Sequence, residues 1–140
     1  MTPTHPVPEH LRTVTPRLVV RSGSEAVSFY VAAFGAEEIG DRVTGPHGEL
    51  IHVVLRFGDA IVMITEDDGD PDSPAKSPPS LGGCVSAIMV TYWADVDQVW
   101  ERAVSSGAEV IIPLADQFYG ERGGRLRDPF GQQWMLGQRI

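Results

Sequence analysis

The chain states nearly the same segment twice, and that duplication restricts its fold more than any other feature. Residues 25–39 read EAVSFYVAAFGAEEI and residues 97–111 read DQVWERAVSSGAEVI. Each describes a short amphipathic helix stopped by a glycine (Gly35, Gly107), then Ala-Glu and an apolar strand start. Glu37 aligns with Glu109 and Ile39 with Ile111 at that same offset. A second echo, Phe57-Gly58 and Phe130-Gly131, follows at an offset one residue longer. Repeats that keep register in this way indicate one supersecondary unit used twice, neither copy burying its apolar face alone.

The flanking patterns define that unit. Residues 17–21 (RLVVR) are a short β-branched strand, and Ser22-Gly23-Ser24 opens a helix with Ser24 or Ser22 as its cap. Val27, Tyr30, Val31 and Phe34 recur at the spacing of one helical face. Strands are expected at 37–43, 50–57 and 60–65, with Gly58-Asp59 closing a hairpin. The second copy gives a strand at 86–92, a helix at 96–105, and strands at 109–113, 119–127 and 132–136. Each copy is therefore β-α-β-β-β and the class is α+β. Residues 1–12 form an arm, 13–66 the first module, 67–83 a partly mobile Pro- and Asp-rich linker, and 84–140 the second module. Two such four-stranded sheets side by side are expected to form a cupped mixed sheet that encloses a cleft.

Composition narrows the function. At 140 residues the chain suits one domain or two intimately packed halves. No apolar run approaches the ~20 residues of a membrane helix, and no signal-like segment opens the chain, so no membrane partner is expected. The lone Cys84 excludes an intramolecular disulfide and suggests the cytoplasm. A net charge of −8 argues against nucleic acid as a partner and suits a cationic ligand.

FYVAAFGAEE and GRLRDPFGQQW, set in the duplicated unit, resemble the vicinal oxygen chelate superfamily of glyoxalases, extradiol dioxygenases and bleomycin-resistance proteins. The closing QFYGERGGRLRDPFGQQW is most similar to its PhnB-like branch. The resemblance implies a paired βαβββ fold, a homodimer, and a cup holding a small molecule. In enzymatic members it implies a divalent metal held by His or Gln and Glu side chains from four strands. Carried onto this chain, those positions fall at Thr15, Val62 or Met63, Ile88 and Met135. A slip of one residue gives Pro16, Ile61, Met89 and Trp134. None offers imidazole or carboxylate, so neither metal nor other cofactor is expected.

Strand alternation puts His52, Val54 and Arg56 on one face and Ile51, Val53, Leu55 and Phe57 on the core side. His52 and Arg56 are thus candidates for ligand contact, or His52 is simply hydrogen-bonded to a neighbouring strand. Trp93, Tyr119 and Trp134 are placed to stack on a planar ligand, with Met63 and Met135 as adaptable walls. Arg122 is a possible anion-binding group, unless Asp128 neutralises it or Arg125. Gly123-Gly124 is expected to break its strand at a bulge. His47 sits in a Pro-Gly turn, and a metal site assembled from His5, His10, His47 and His52 is conceivable. The first functional reading is a metal-independent protein that sequesters a drug or natural product, planar or cationic, in an aromatic and apolar cleft of a cytoplasmic homodimer. The alternative is an enzyme, either with non-standard metal ligands or with His52 as its acid–base group.

Overall fold

The computed structural model describes residues 8–140; the start of the arm, with His5, lies outside the described residues. The first unit runs β1 (Arg17–Val20), α1 (Gly23–Phe34), β2 (Glu37–Thr44), β3 (Leu50–Phe57) and β4 (Ala60–Glu66). A single 3-10 turn at Pro78–Leu81 interrupts the connection. The second unit runs β5 (Met89–Tyr92), α2 (Val96–Ser105), β6 (Glu109–Asp116), β7 (Glu121–Arg127) and β8 (Gln133–Arg139). Each forms its own mixed sheet, ordered β1-β4-β3-β2 and β5-β8-β7-β6, with the first strand parallel to the last. The duplication read from the sequence is thus a duplication of topology. The two sheets do not join into one.

Both echo glycines do the same work. Gly35 (φ 67°) and Gly107 (φ 115°) take left-handed backbone at the ends of α1 and α2, where a Cβ is penalised. Ala36 N–H then donates back to Tyr30 O, as Ala108 N–H does to Ala103 O.

The helices pack on one another, and the helix-facing sides of both sheets close over them in a single core. Tyr30 and Phe34 of α1 meet Phe57 of the first sheet and Trp134 of the second. This shared core explains why one copy alone would leave apolar surface bare. The expected cleft is accordingly not enclosed between the sheets: the inner faces are filled, and the opposite faces stay open.

Several local expectations change for identifiable reasons. Val31 is 44% exposed, and Ala26, Phe29 and Ala33 take its place in the buried face. Leu50 is buried and Ile51 exposed, because Val43 pairs with His52 but Thr44 with Leu50, leaving Ile51 as the extra residue of a bulge. Arg17 fills that bulge by donating to the freed Ile51 carbonyl at 2.9 Å. Neither serine side chain caps α1; Glu66 reaches back and accepts from Gly23 N–H at 2.7 Å. The strand carrying Gly123-Gly124 is unbroken, in continuous register with β8, and the irregularity lies in its other neighbour, β6. That neighbour is an edge strand, where Pro113 removes no needed donor.

Candidate functional site

A strand deals its side chains alternately to two faces, so the site is decided by parity. In the second sheet Trp134, Leu136 and Leu126 face the helices. Their neighbours Met135, Gly137, Gly123, Arg125 and Glu121 therefore face outward, joined by Val90 and Tyr92 of β5.

On the inner side every polar group is met. Trp134, 2% exposed, donates its indole N–H to Asp128 Oδ2 at 2.9 Å, and Tyr30 of the first module donates to the same oxygen at 2.6 Å. Asp128 Oδ1 accepts from the backbone N–H groups of Phe130 and Gln132. Asp128 thus pairs with neither Arg122 nor Arg125. Burial pushes its carboxyl above the ordinary carboxylate value, against the pull of those four donors, and pushes the Tyr30 hydroxyl well up. The DPFGQQW segment is a joint between modules, with Gly131 (φ 91°) completing its turn.

Three expected site residues belong to this inner side. Trp134 is sealed in the core. Trp93 stacks on Phe34 and donates to Thr91 Oγ1 at 2.7 Å. Arg122 is held by Asp97 of α2 at 2.8 Å and by Asp116 at the end of β6 at 3.1 Å. All three are corrections to the sequence reading. Each sits one residue from an outward-facing neighbour: Tyr92, Glu121 or Gly123, and Met135.

The outer side differs. Tyr92 is 59% exposed and lies over Gly137, while Tyr119, 52% exposed, sits in the β6–β7 turn. With Met135, Glu121 and Gly123 they frame a narrow crevice of about 20 Å³, roughly the room one water occupies. No side chain comes within 4 Å of where a Gly123 Cβ would point. Arg125, beside Met135, makes only a 3.9 Å approach to its sulfur, and its Nε is buried with no partner. A buried donor left unpaired costs about 1–3 kcal/mol. Among the described residues Glu121 has neither an ion pair nor a side-chain hydrogen bond.

The first sheet's outer face carries the remaining expected residues, His52, Arg56 and Met63, with Met63 opposite Val54 in register. The structure thus brings His52, Arg56 and Met63 to one outer face and Tyr119 and Met135 to the other. His52 has no carboxylate or carbonyl orienting its ring among the described residues. His10 lies with Glu9 and Arg12 near Arg56 and Ile61, away from any other histidine of a shared site. A cleft of about 280 Å³ also lies between β1, the 3-10 turn and β5. Three of its polar side chains are already used: Arg17 on the Ile51 carbonyl, Lys76 on Asp70 O, and Gln132 on Val19 O.

The linker is tied down. Asp67 accepts from Ser77 N–H, Ser77 Oγ and Ser80 Oγ at 2.8–2.9 Å through one oxygen, and from Gly69 N–H through the other. The Ser77 and Gly69 backbone bonds, with the serine hydroxyls, hold its carboxyl well below the usual range.

Duplicated βαβββ modules with one shared core and open outer sheet faces define a class of paired-module proteins that host binding and catalysis alike. The chain belongs to the Glyoxalase/Bleomycin resistance protein/Dioxygenase superfamily, whose sequence profile matches residues 9–136. It is 43% identical over 128 residues to the uncharacterized protein Mb0911c of Mycobacterium bovis, covering 91% of this chain and 83% of that one. Among solved structures it is similar to TioX from Micromonospora sp. ML1 (25% identity, 90% of this chain and 97% of that one, TM-score 0.68). It also shares its fold with the fosfomycin resistance protein FosX from Listeria monocytogenes (16% identity, 93% and 94% covered, TM-score 0.66).

The divalent metal of the family's enzymes does not fit these residues. On the outer faces β1 offers Arg17 and Val19, β4 Met63, β5 Val90 and Tyr92, and β8 Met135. Among the described residues no three of His, Cys, Asp and Glu gather where one ion could join them. Thioether and aliphatic groups do not hold zinc, nickel or iron in such a site.

Proposed function

We propose that this chain is a metal-independent small-molecule-binding protein of the bleomycin-resistance type. It sequesters a planar or cationic drug or natural product, rather than transforming it. The observation that carries this reading is the second sheet's outer face: exposed tyrosines, charged groups without partners, and Met135 at a position where the resemblance expects a metal ligand in the enzymes. Such surfaces gain affinity from ring stacking and adaptable apolar contact. The open face of each sheet is covered in a homodimer, which pairs modules from two copies into two clefts. The closing segment QFYGERGGRLRDPFGQQW supports assignment to the PhnB-like branch, and the exposed thiol of Cys84 suits the cytoplasm.

The test combines metal analysis with calorimetry. Plasma mass spectrometry of gently purified protein, with and without added nickel, zinc, manganese and iron, should find no stoichiometric ion. Titration with planar cationic compounds should give saturable heats that Tyr92→Ala weakens more than tenfold and His52→Ala leaves alone. One tightly held ion per protomer, or a turnover abolished by His52→Ala, would overturn the reading. Sedimentation should return a dimer.

A further inference from the structure

The crevice on the second sheet carries more chemistry than a generic apolar wall. Along β7 the outward residues run Glu121, Gly123, Arg125, so an acid and a base flank a position with no side chain. Four residues of strand separate their Cα atoms by about 13 Å. Glu121 reaches inward, its Oε2 3.6 Å from where a Gly137 Cβ would lie, and Arg125 leans over Met135 at the other end. The two do not neutralise one another, and no other described residue neutralises either of them. By contrast Arg127, next outward along the same strand, is held by Glu109 at 2.9 Å. Among the described residues the charges without an ion pair in this row are Glu121, which lines the crevice, Arg125, one outward position beyond the lining Gly123, and Arg139, opposite Glu121 in register.

We infer that this crevice reads a bipolar planar ligand: a flat ring body between the Tyr92 and Tyr119 rings, an oxyanion end on the Arg125 guanidinium, and an amine end on Glu121. The inference rests on the small-molecule-binding reading above and narrows its ligand class to aromatic molecules carrying an acid and an amine at opposite ends. Guanidinium is suited to carboxylate by its planar fork of donors. Gly123 is the floor because a ring needs the volume a side chain would occupy. Both tyrosines are more than half exposed, so rotation of their side chains, a fast and inexpensive motion, opens the crevice to the thickness of a ring.

Three matched probes test this: 6-(aminomethyl)naphthalene-2-carboxylate, naphthalene-2-carboxylate and naphthalen-2-ylmethanamine. Each is titrated into amide-labelled protein while the Gly123 and Gly137 resonances are followed. The bifunctional probe should bind at least tenfold tighter than either single-ended one. Arg125→Glu should lose the carboxylate probe and gain the amine probe, an inversion that misfolding cannot produce. Gly123→Val should abolish all three while the remaining amide spectrum is retained. If single-ended probes shift Gly123 and Gly137 as strongly as the bifunctional one, the bipolar assignment fails and the binding reading stands. If Arg125→Glu leaves the preference unchanged, the assignment of Arg125 fails. If no probe shifts these amides, and planar cations give no saturable heats either, both fall together.

Discussion

The two faces of the second sheet share one backbone and behave as different materials. Inward, Trp134, Leu126 and Leu136 are sealed, and Asp128, Arg122 and the Trp93 indole all have partners. Outward, one residue along in each strand, Tyr92 is exposed, Met135 half-buried, and Glu121 and Arg125 have no ion-pair partner among the described residues. A folded chain pairs its buried polar groups because leaving them unpaired is costly. On the outer face Arg127 is paired with Glu109 while Glu121 and Arg125 are not, and that local gap in pairing is where the proposed ligand site is set. Substitutions that respect this division should affect stability on one side and binding on the other.

The largest contrast is at the joint. Asp128→Ala strands two side-chain donors and two backbone donors in the core, at ~1 kcal/mol or more each. Urea unfolding should lose about 4 kcal/mol, and Trp134→Ala about 3–5 kcal/mol. On the outer face Tyr92→Ala and Met135→Ala should each cost under about 1 kcal/mol. Comparable losses on both faces would break the division.

The adjacent glycines give a sharper form of the same test. A Cβ on Gly124 would sit 2.6 Å from the Trp100 ring and 2.7 Å from the Ile112 carbonyl, whereas one on Gly123 meets only the Leu136 carbonyl at 3.1 Å. Gly124→Ala should cost about 2–3 kcal/mol through overpacking. Gly123→Ala should cost less than about 1 kcal/mol, since the few tenths of an ångström it needs are offset by the backbone entropy glycine gives up on folding. Equal costs would mean that the outer crevice is packed space.

The fold was legible because its signals repeat: two helices, two left-handed glycines and two hairpins at nearly one offset constrain each other. The site was half legible, and its errors share one cause. Trp93, Arg122 and Trp134 were chosen by residue type, and chemistry does not report parity. A slip of one residue moves a strand's whole set to the other face. The bulge at Ile51 displaced Leu50 in the same way, and no sequence pattern announced it. His52 and Arg56 were placed outward because alternation was applied there, whereas Met63 and Met135 were reached through the positions where the family's enzymes hold their metal. Arg125 was visible in sequence only as one arginine among three in RGGRLR; what marks it is the absence of a partner, a property of the fold alone.

Tyr30→Phe probes the joint more gently than Asp128→Ala. It removes one 2.6 Å donor while Trp134 still serves the same oxygen. The expected loss is about 1.5–3 kcal/mol, the range for a bond to a charged acceptor. Combined with Asp128→Ala, the double variant should lose less than the two single losses together, because the groups share one bond. Simple additivity would separate Tyr30 from the joint and leave its burial as mere packing.

The smallest effect compares two aspartates with the same number of donors and opposite shifts. Asp67, in the linker, is held below the ordinary value of 3.8 by its four bonds, and Asp128 is raised above it by burial despite its own four. The signs of their linkage to folding differ accordingly. Stability from Asp67 is present above pH ~4 and is lost as pH falls, so the melting-temperature gap between wild type and Asp67→Asn should be full near pH 6 and shrink below pH ~4. Solvent screening holds that gap to about 1 kcal/mol or less. The contribution linked to Asp128 protonation runs the other way, present below pH ~4 and lost as pH rises through its raised value, so the gap to Asp128→Asn should widen as pH falls. Parallel slopes for the two variants would show that burial does not dominate at Asp128, and the contrast between the sealed and open sides of the sheet would lose its electrostatic half.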